Sequence, residues 1–387
     1  MESGERFALM IDRATGMPDP HVCKYSATYH RHRSINSAER ELDALCLFHE
    51  WLDERGIDLA ERVMGGAYLY PDEVEALSNR LRSSKRPPRV LGNSIVPRIV
   101  SANTHQDRMN WAFAYTNWRA APYIARAADP SQAINMRDRL TELKEQMKGL
   151  CACGTEKVRE ALTDEQRCFL LTVTRPDDPR NPFRPNTRHR NFALILMYDE
   201  LGLRKGEPLT LKGEDVMLFG SHPRLIFVPR PDDPEETRAK PPLLKTAGRS
   251  LITSALLSKT LNDYAVNQRP KMRNSKKIPY YFLNTKDNGE ALSLDGVDDI
   301  FRTLKNRFPE ELPTDFSAHI VRHTWNSRFR RLAAERNWES PFRDTVNNFI
   351  MGWAKNSTQS KRYAHTEISR EAEQILADLQ SLGGLLS

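Results

Sequence analysis

The stretch His319-Ile320-Val321-Arg322-His323-Thr324-Trp325 is followed by Gly352-Trp353-Ala354-Lys355-Asn356-Ser357-Thr358-Gln359-Ser360-Lys361-Arg362-Tyr363-Ala364-His365, and forty-one residues separate Arg322 from Tyr363. About 120 residues upstream lies Glu200-Leu201-Gly202-Leu203-Arg204-Lys205-Gly206-Glu207-Pro208-Leu209-Thr210-Leu211, which sets a second arginine just past the end of an apolar helix. His319 stands three residues before Arg322, and on a helix that spacing puts both side chains on one face. Two arginines, a histidine and a tyrosine in this order suggest a tyrosine nucleophile aimed at a phosphate.

The residue types suit that chemistry. A phosphodiester resists attack because its non-bridging oxygens are negative, and charge builds on them as a nucleophile approaches in line. Guanidinium is planar, forked and permanently charged, so Arg204 and Arg322 suit paired hydrogen bonds to those oxygens better than lysine does. A tyrosine phenol has an ordinary pKa of about 10, so its phenolate costs about 4 kcal/mol at pH 7. Neighbouring positive charge and a histidine able to take the proton offset that cost. Taken singly, each residue has a plainer reading: Tyr363 as half-buried packing, His319 as a core histidine, Arg204 as a complement to a helix C-terminus, Trp353 as core. Their conjunction in one order along the chain outweighs those readings.

Together the three segments resemble the tyrosine recombinase (phage integrase) family over roughly residues 163–366. The resemblance implies a mainly α protein with a small antiparallel β-sheet (α+β), a helical DNA-clamping domain preceding the catalytic domain. It casts Tyr363 as nucleophile, Arg204 and Arg322 as the phosphate clamp, and His319 as the group taking the tyrosine proton. Glu207 buttresses Arg204, and His323 belongs to the same box as His319 and Arg322. Trp353 fills a position that is histidine or, less often, tryptophan in the family, and tryptophan donates one hydrogen bond but moves no proton. Ten residues separate Trp353 from Tyr363, where the common bacterial form has nine.

The family's catalytic lysine rides a β-hairpin after the first arginine. Arg224-Leu225-Ile226-Phe227-Val228-Pro229, Leu243-Leu244-Lys245 and Ser250-Leu251-Ile252-Thr253 read as strands, with Thr246-Ala247-Gly248-Arg249 as the turn. By resemblance Lys245 becomes the proton donor to the leaving 5′ oxygen, with Lys240 as its rival. The implied activity is site-specific recombination for a mobile element, by integration, excision or resolution, through a 3′-phosphotyrosine link and without cofactor or metal. The implied partners are double-stranded DNA, three further copies of the chain in a homo-tetramer on DNA, and accessory DNA-bending proteins. The alternatives are a type IB topoisomerase-like enzyme and a catalytically inactive sequence-specific DNA-binding protein.

Composition agrees with a nucleic-acid partner. The 387 residues carry a formal charge of +7, enough chain for two or three domains. Arg80, Arg82, Lys85, Arg86 and Arg89 fall within ten residues, and Arg269, Lys271, Arg273, Lys276 and Lys277 within nine. Such clusters are usually solvated faces, but gripping a duplex also requires several cations. Of these, Arg80, Arg82, Lys85, Arg86, Arg89, Arg269, Lys271 and Arg273 are the candidate DNA-binding residues. The five cysteines form no even disulfide framework, and Cys151-Ala152-Cys153 lacks the second pair a zinc site needs. No run of eighteen apolar residues occurs, so a cytoplasmic protein without a membrane partner is expected.

Organisation follows from periodicity and caps. Residues 1–34 read as a small strand-bearing extension, from Phe7-Ala8-Leu9-Met10-Ile11 and the turn-like Gly16-Met17-Pro18-Asp19-Pro20. Residues 35–150 read as the helical core-binding domain. Its first helix spans about 37–54 behind a capping box of Asn36 and Glu39, and a second spans about 71–81. The third runs from about Thr104, with Asp107 at the cap, to Ala121 and carries Trp111, Tyr115 and Trp118. The fourth uses Met136, Leu140, Leu143 and Met147 and ends at Gly149. Residues 151–162 form a linker, and Thr163 with Gln166 opens the catalytic domain, residues 163–366. An apolar helix from about Arg190 to Leu203 delivers Arg204. Residues 367–387 read as an amphipathic helix, whose apolar face belongs either on a neighbouring protomer or on its own domain.

Overall fold

A computed structural model gives the architecture; it describes all residues except 1–4, 32, 85, 86, 88, 92, 93, 153–159, 245, 246, 286–288, 353–371 and 382–387. The chain forms two compact units, one of residues 6–157 and one of residues 158–387 with residues 1–5. The fold is mainly α with a small antiparallel sheet.

In the first unit, α1 (Pro20–Tyr29), α2 (Ile35–Arg55), α3 (Leu59–Gly65) and α4 (Pro71–Arg82) precede a short hairpin of β1 (Arg89–Leu91) and β2 (Ser94–Val96). Two long helices, α5 (Ala102–Ala125) and α6 (Pro130–Gly149), complete it. The core gathers Val22 and Tyr25 of α1, Leu45, Phe48 and Trp51 of α2, Leu77 and Leu81 of α4, Tyr115 of α5 and Leu143 of α6.

The amino-terminal segment differs from the strand-bearing extension expected. Its only strand character among the described residues is an isolated bridge between Ile11 and Pro18. Asp19 caps α1, accepting the Val22 N–H at 2.7 Å, and Pro20 takes the first helical position, where its missing N–H costs nothing. The helix is locked to α2 through buried Glu41, which accepts from the Tyr25 hydroxyl at 2.6 Å and the Arg33 guanidinium at 2.8 Å. Two caps also move: Ser34, not Asn36, opens α2, and Ser101, not Asp107, opens α5.

The second unit is built around α8 (Pro185–Leu201). From Arg190 to Leu201 every residue of α8 is buried, so it is covered on all sides, as a central helix must be. Around it lie α7 (Asp164–Val173), α9 (Ala255–Asp263), α10 (Leu294–Arg307), α11 (Ala318–Glu335) and α12 (Ser340–Met351). The Thr163–Gln166 capping box forms at the start of α7. A buried pair, Arg167 on α7 donating twice to Asp199 on α8 at 2.6 Å, joins these two helices.

The sheet orders β3 (Val216–Met217), β4 (Arg224–Phe227) and β5 (Arg249–Ile252) antiparallel, with Val216 opposite Leu225 and Phe227 opposite Arg249. Leu243 and Leu244 are not strand, so the second expected strand is corrected: β4's other neighbour is β3, upstream in sequence. Arg249 leaves the expected turn and begins β5. The loop Arg230-Pro231-Asp232-Asp233-Pro234 that follows β4 is pinned, because Arg230 grips Asp215 at 2.8 Å and Lys212 grips Asp233 at 2.8 Å.

Residues 372–381 form a further helix, α13, which buries Ala372, Ile375, Leu376 and Leu379 in the core of its own unit. Arg328 of α11 donates to the Leu379 carbonyl at 2.7 Å, and Arg336 pairs with Asp378. Among the described residues no helix is long and apolar enough to cross a membrane.

Candidate active site

The site begins where α8 stops. Gly202 ends the helix in the left-handed conformation, φ 60° and ψ 32°. A side chain there would be strained and would also meet the ring of Trp325, with a Cβ only 2.7 Å from Trp325 Cδ2. Trp325 is itself fixed, its indole N–H donating to the Glu200 carbonyl at 3.0 Å. This turn throws Arg204 clear of the helix.

Glu207, at the head of a short 3-10 turn (Glu207–Thr210), is buried beneath it. Its Oε2 accepts the Arg204 backbone N–H at 2.9 Å and its Oε1 accepts Arg204 Nη1 at 3.3 Å. Arg249, reaching from β5, donates Nη2 to the same Oε2 at 2.8 Å. The acidic residue expected to buttress Arg204 does so, and it also holds a second guanidinium that the sequence reading placed in a turn.

Arg322 comes from the second turn of α11. Its Nη1 donates to the Gly202 carbonyl at 2.6 Å and lies 4.0 Å from Glu207 Oε2. Arg204 Nη1, at 3.2 Å, and Arg322 Nη2, at 3.5 Å, both reach the Met351 carbonyl at the end of α12. Arg204, Arg249 and Arg322 bring three positive charges against the one negative charge of Glu207, an excess of +2 among these four side chains. Burial and then the neighbouring Arg204 push the Arg322 guanidinium down to about 10, with Glu207 opposing. It stays charged near neutrality, and an anion in front of it would relieve both effects.

His319 and His323 lie one turn apart on α11, His319 exposed and His323 half-buried. Their Nε2 atoms are 3.1 Å apart and the rings meet edge to face, centroids 4.6 Å apart. A hydrogen bond between two Nε2 atoms needs one protonated and one bare nitrogen, so the pair shares a single proton along that line. Both imidazoles thus stand on the helix that carries Arg322.

Comparison with known proteins bears on the fold. No family model and no curated protein matches the sequence. Among solved structures, the chain is similar to the Tn1549 transposon integrase in complex with transposon right end DNA. The two share 14% identity over 91% of this chain and 98% of that one, with a TM-score of 0.55. The same integrase in complex with circular intermediate DNA gives 15% identity, 89% and 98% coverage and a TM-score of 0.52. The chain has the tyrosine recombinase fold.

Within the tyrosine recombinase fold, the structure brings together Arg204, Glu207 and Arg322, with His319 and His323 on the helix of Arg322. Lys245, Trp353 and Tyr363 lie outside the described residues, although Met351, whose carbonyl the two arginines share, is two positions before Trp353. Lys240 is exposed. Of the candidate DNA-binding residues, Arg80 pairs with Glu50 at 3.0 Å, and Arg269 is occupied by the carbonyls of Ile278, Tyr280 and Tyr281 at 2.6–3.2 Å. Arg82, Lys271 and Arg273 are exposed; Lys85, Arg86 and the Arg89 side chain fall outside the described set. The sequence reading missed Arg249, Gly202 and the Met351 carbonyl. The glycine between Leu201 and Leu203 was the one visible signal, as the usual end of a helix.

Proposed function

We propose that this chain is a site-specific DNA recombinase that cuts and rejoins DNA through a 3′-phosphotyrosine intermediate formed by Tyr363. One observation carries the reading: Arg204 and Arg322, 118 positions apart in sequence, converge on one carboxylate and one carbonyl. Two guanidiniums held side by side, with surplus positive charge, suit the two non-bridging oxygens of a phosphodiester. Tyr363 attacks the phosphorus, and the phosphorus–5′-oxygen bond breaks. The phenol proton passes to His319 of the histidine pair, and Lys245 protonates the departing 5′ oxygen. Trp353 positions the phosphate or Tyr363. One phosphodiester is exchanged for another, so the energy of the bond is conserved.

That the solved neighbours of similar fold are a transposon integrase bound to its DNA supports double-stranded DNA as the partner and a mobile element as the setting. Work on two duplexes at once implies a homo-tetramer, and accessory DNA-bending proteins fit that assembly. Arg82, Lys271 and Arg273 are the exposed cations best placed by charge to meet phosphates.

The test is covalent trapping. A duplex selected by the protein from a random-sequence library, nicked so that the cut strand diffuses away, is expected to yield a protein–DNA adduct that resists denaturant. Tyr363→Phe should bind the same duplex and yield none. Binding without adduct by the unaltered chain would mark it as a DNA-binding protein without strand transfer. Adducts accompanied by relaxation of supercoiled plasmid at random sites would mark a topoisomerase.

A further inference from the structure

Arg249 cannot reach a substrate, yet it sits at the centre of the arginine cluster. Its side chain is 2% exposed, its guanidinium lies over the Phe227 ring at 5.1 Å, and its Nη2 holds Glu207 Oε2 at 2.8 Å. That oxygen also receives the Arg204 backbone N–H and faces Arg322 at 4.0 Å. The strand pairing that sets Arg249 opposite Phe227 therefore decides where the Glu207 carboxylate stands.

We infer that Arg249 is a positioning residue for the strand-cleavage reaction: it anchors Glu207, and through Glu207 it sets how Arg204 and Arg322 face the scissile phosphate. The inference rests on the function proposed above. Without Arg249 the Arg204 backbone N–H still holds Oε2, but the guanidinium that opposes the pull of Arg204 and Arg322 is gone, so the carboxylate shifts toward them and draws them off the phosphate. With Oε2 held from the side by Arg249, Oε1 is left for Arg204 Nη1 and the two clamp residues keep their separation. Arg249 also lies four residues after Lys245.

The experiment measures single-turnover adduct formation on the selected, nicked duplex for the unaltered chain, Arg249→Met and Arg249→Lys. Each is run on ordinary DNA and on DNA carrying a neutral methylphosphonate at the scissile position. Arg249→Met is expected to slow cleavage of ordinary DNA about ten- to hundred-fold, the worth of a hydrogen bond to a charged group, with duplex affinity unchanged. Arg249→Lys, which keeps the charge and one donor, should recover part of the rate. On the methylphosphonate the gap should close, because there is less charge for a misplaced clamp to fail to hold; a general loss of folding would slow both substrates alike. An unaltered rate in Arg249→Met, or an equal loss on both substrates, overturns the inference. Where Arg249→Met does not fold, the same comparison is read from Arg249→Lys, with an unaltered rate or an equal loss again overturning it. If the unaltered chain forms no adduct, the proposed function fails and this inference with it, a result distinct from either of the others.

Discussion

Gly202 and Glu207 are two positions where a very small change in the side chain disturbs the site. Adding a methyl at Gly202 forces a left-handed non-glycine residue and a contact with Trp325 at 2.7 Å, while the neighbouring carbonyl is holding Arg322. Gly202→Ala is expected to cost about 2–4 kcal/mol in urea unfolding, from strain and overpacking together; an unchanged midpoint would show that Trp325 yields freely. Glu207→Gln keeps the shape but removes the one negative charge among three guanidiniums. Breaking a buried ion pair this way typically costs about 3–5 kcal/mol, and the amide presents a donor where Arg204 or Arg249 already donates. Adduct formation should drop at least about a hundred-fold. A variant that kept the normal rate would remove Glu207 from the clamp. Arg204, Arg322 and His319 were readable as residues because their types and spacing state their chemistry. Arg249 was not, since an arginine at the start of a strand resembles any surface arginine until its partner is known.

At the level of elements, α8 carries a titratable group that ties the site's scaffold to pH. Glu200 is buried, its Oε1 accepting from Ser254 at 3.0 Å while Oε2 has no hydrogen-bond partner among the described residues. Burial, the largest cause, pushes its carboxyl up to about 8 from an ordinary 4.5, against the Ser254 hydrogen bond. The folded state therefore holds a proton that the unfolded chain releases between those two values. Its contribution is fully present below about 4.5 and is lost as pH rises through about 8. Glu200→Gln, neutral at every pH and of the same shape, should flatten that decline in thermal melts taken across the window. A parallel curve for the two proteins would mean Glu200 is ionised when folded. Element types were legible where the apolar period ran long, as in α2, α4 and α6, and where a capping box stood, as in α7. They failed at α1, where Asp19-Pro20 reads equally as a turn and as a cap followed by a proline at the first helical position. They failed again at the sheet, because strand pairing is a contact between distant segments and Val216-Met217 has too few residues to show alternation.

For the molecule as a whole, net charge and the exposed cations bear on DNA. If Lys271 and Arg273 meet phosphates, replacing both with alanine should weaken duplex binding and reduce the slope of log affinity against log salt by about 2. An unchanged slope would place the DNA elsewhere. The carboxy-terminal helix was expected either on a neighbour or at home, and α13 packs at home, with Ile375, Leu376 and Leu379 in the core that α8 and α11 share. Leu376→Ala should then destabilise the second unit by about 2–5 kcal/mol. No change in the melt of the isolated, unassembled chain would mean that face is not buried there.

The sequence by itself determined the chemistry on offer: two arginines, a histidine and a tyrosine in a fixed order, the apolar helix leading to Arg204, and the mainly α composition with little sheet. These are written in residue type and in short spacing, which act within a turn or two of the chain. The tertiary structure alone decided that Glu207 serves Arg204 and Arg249 together with Arg322 close by, that the Met351 carbonyl joins the two clamp arginines, and that α1 and α13 are core rather than appendage. Those outcomes depend on which buried group finds which partner across separations from sixteen to nearly 150 residues, and no local preference encodes that match.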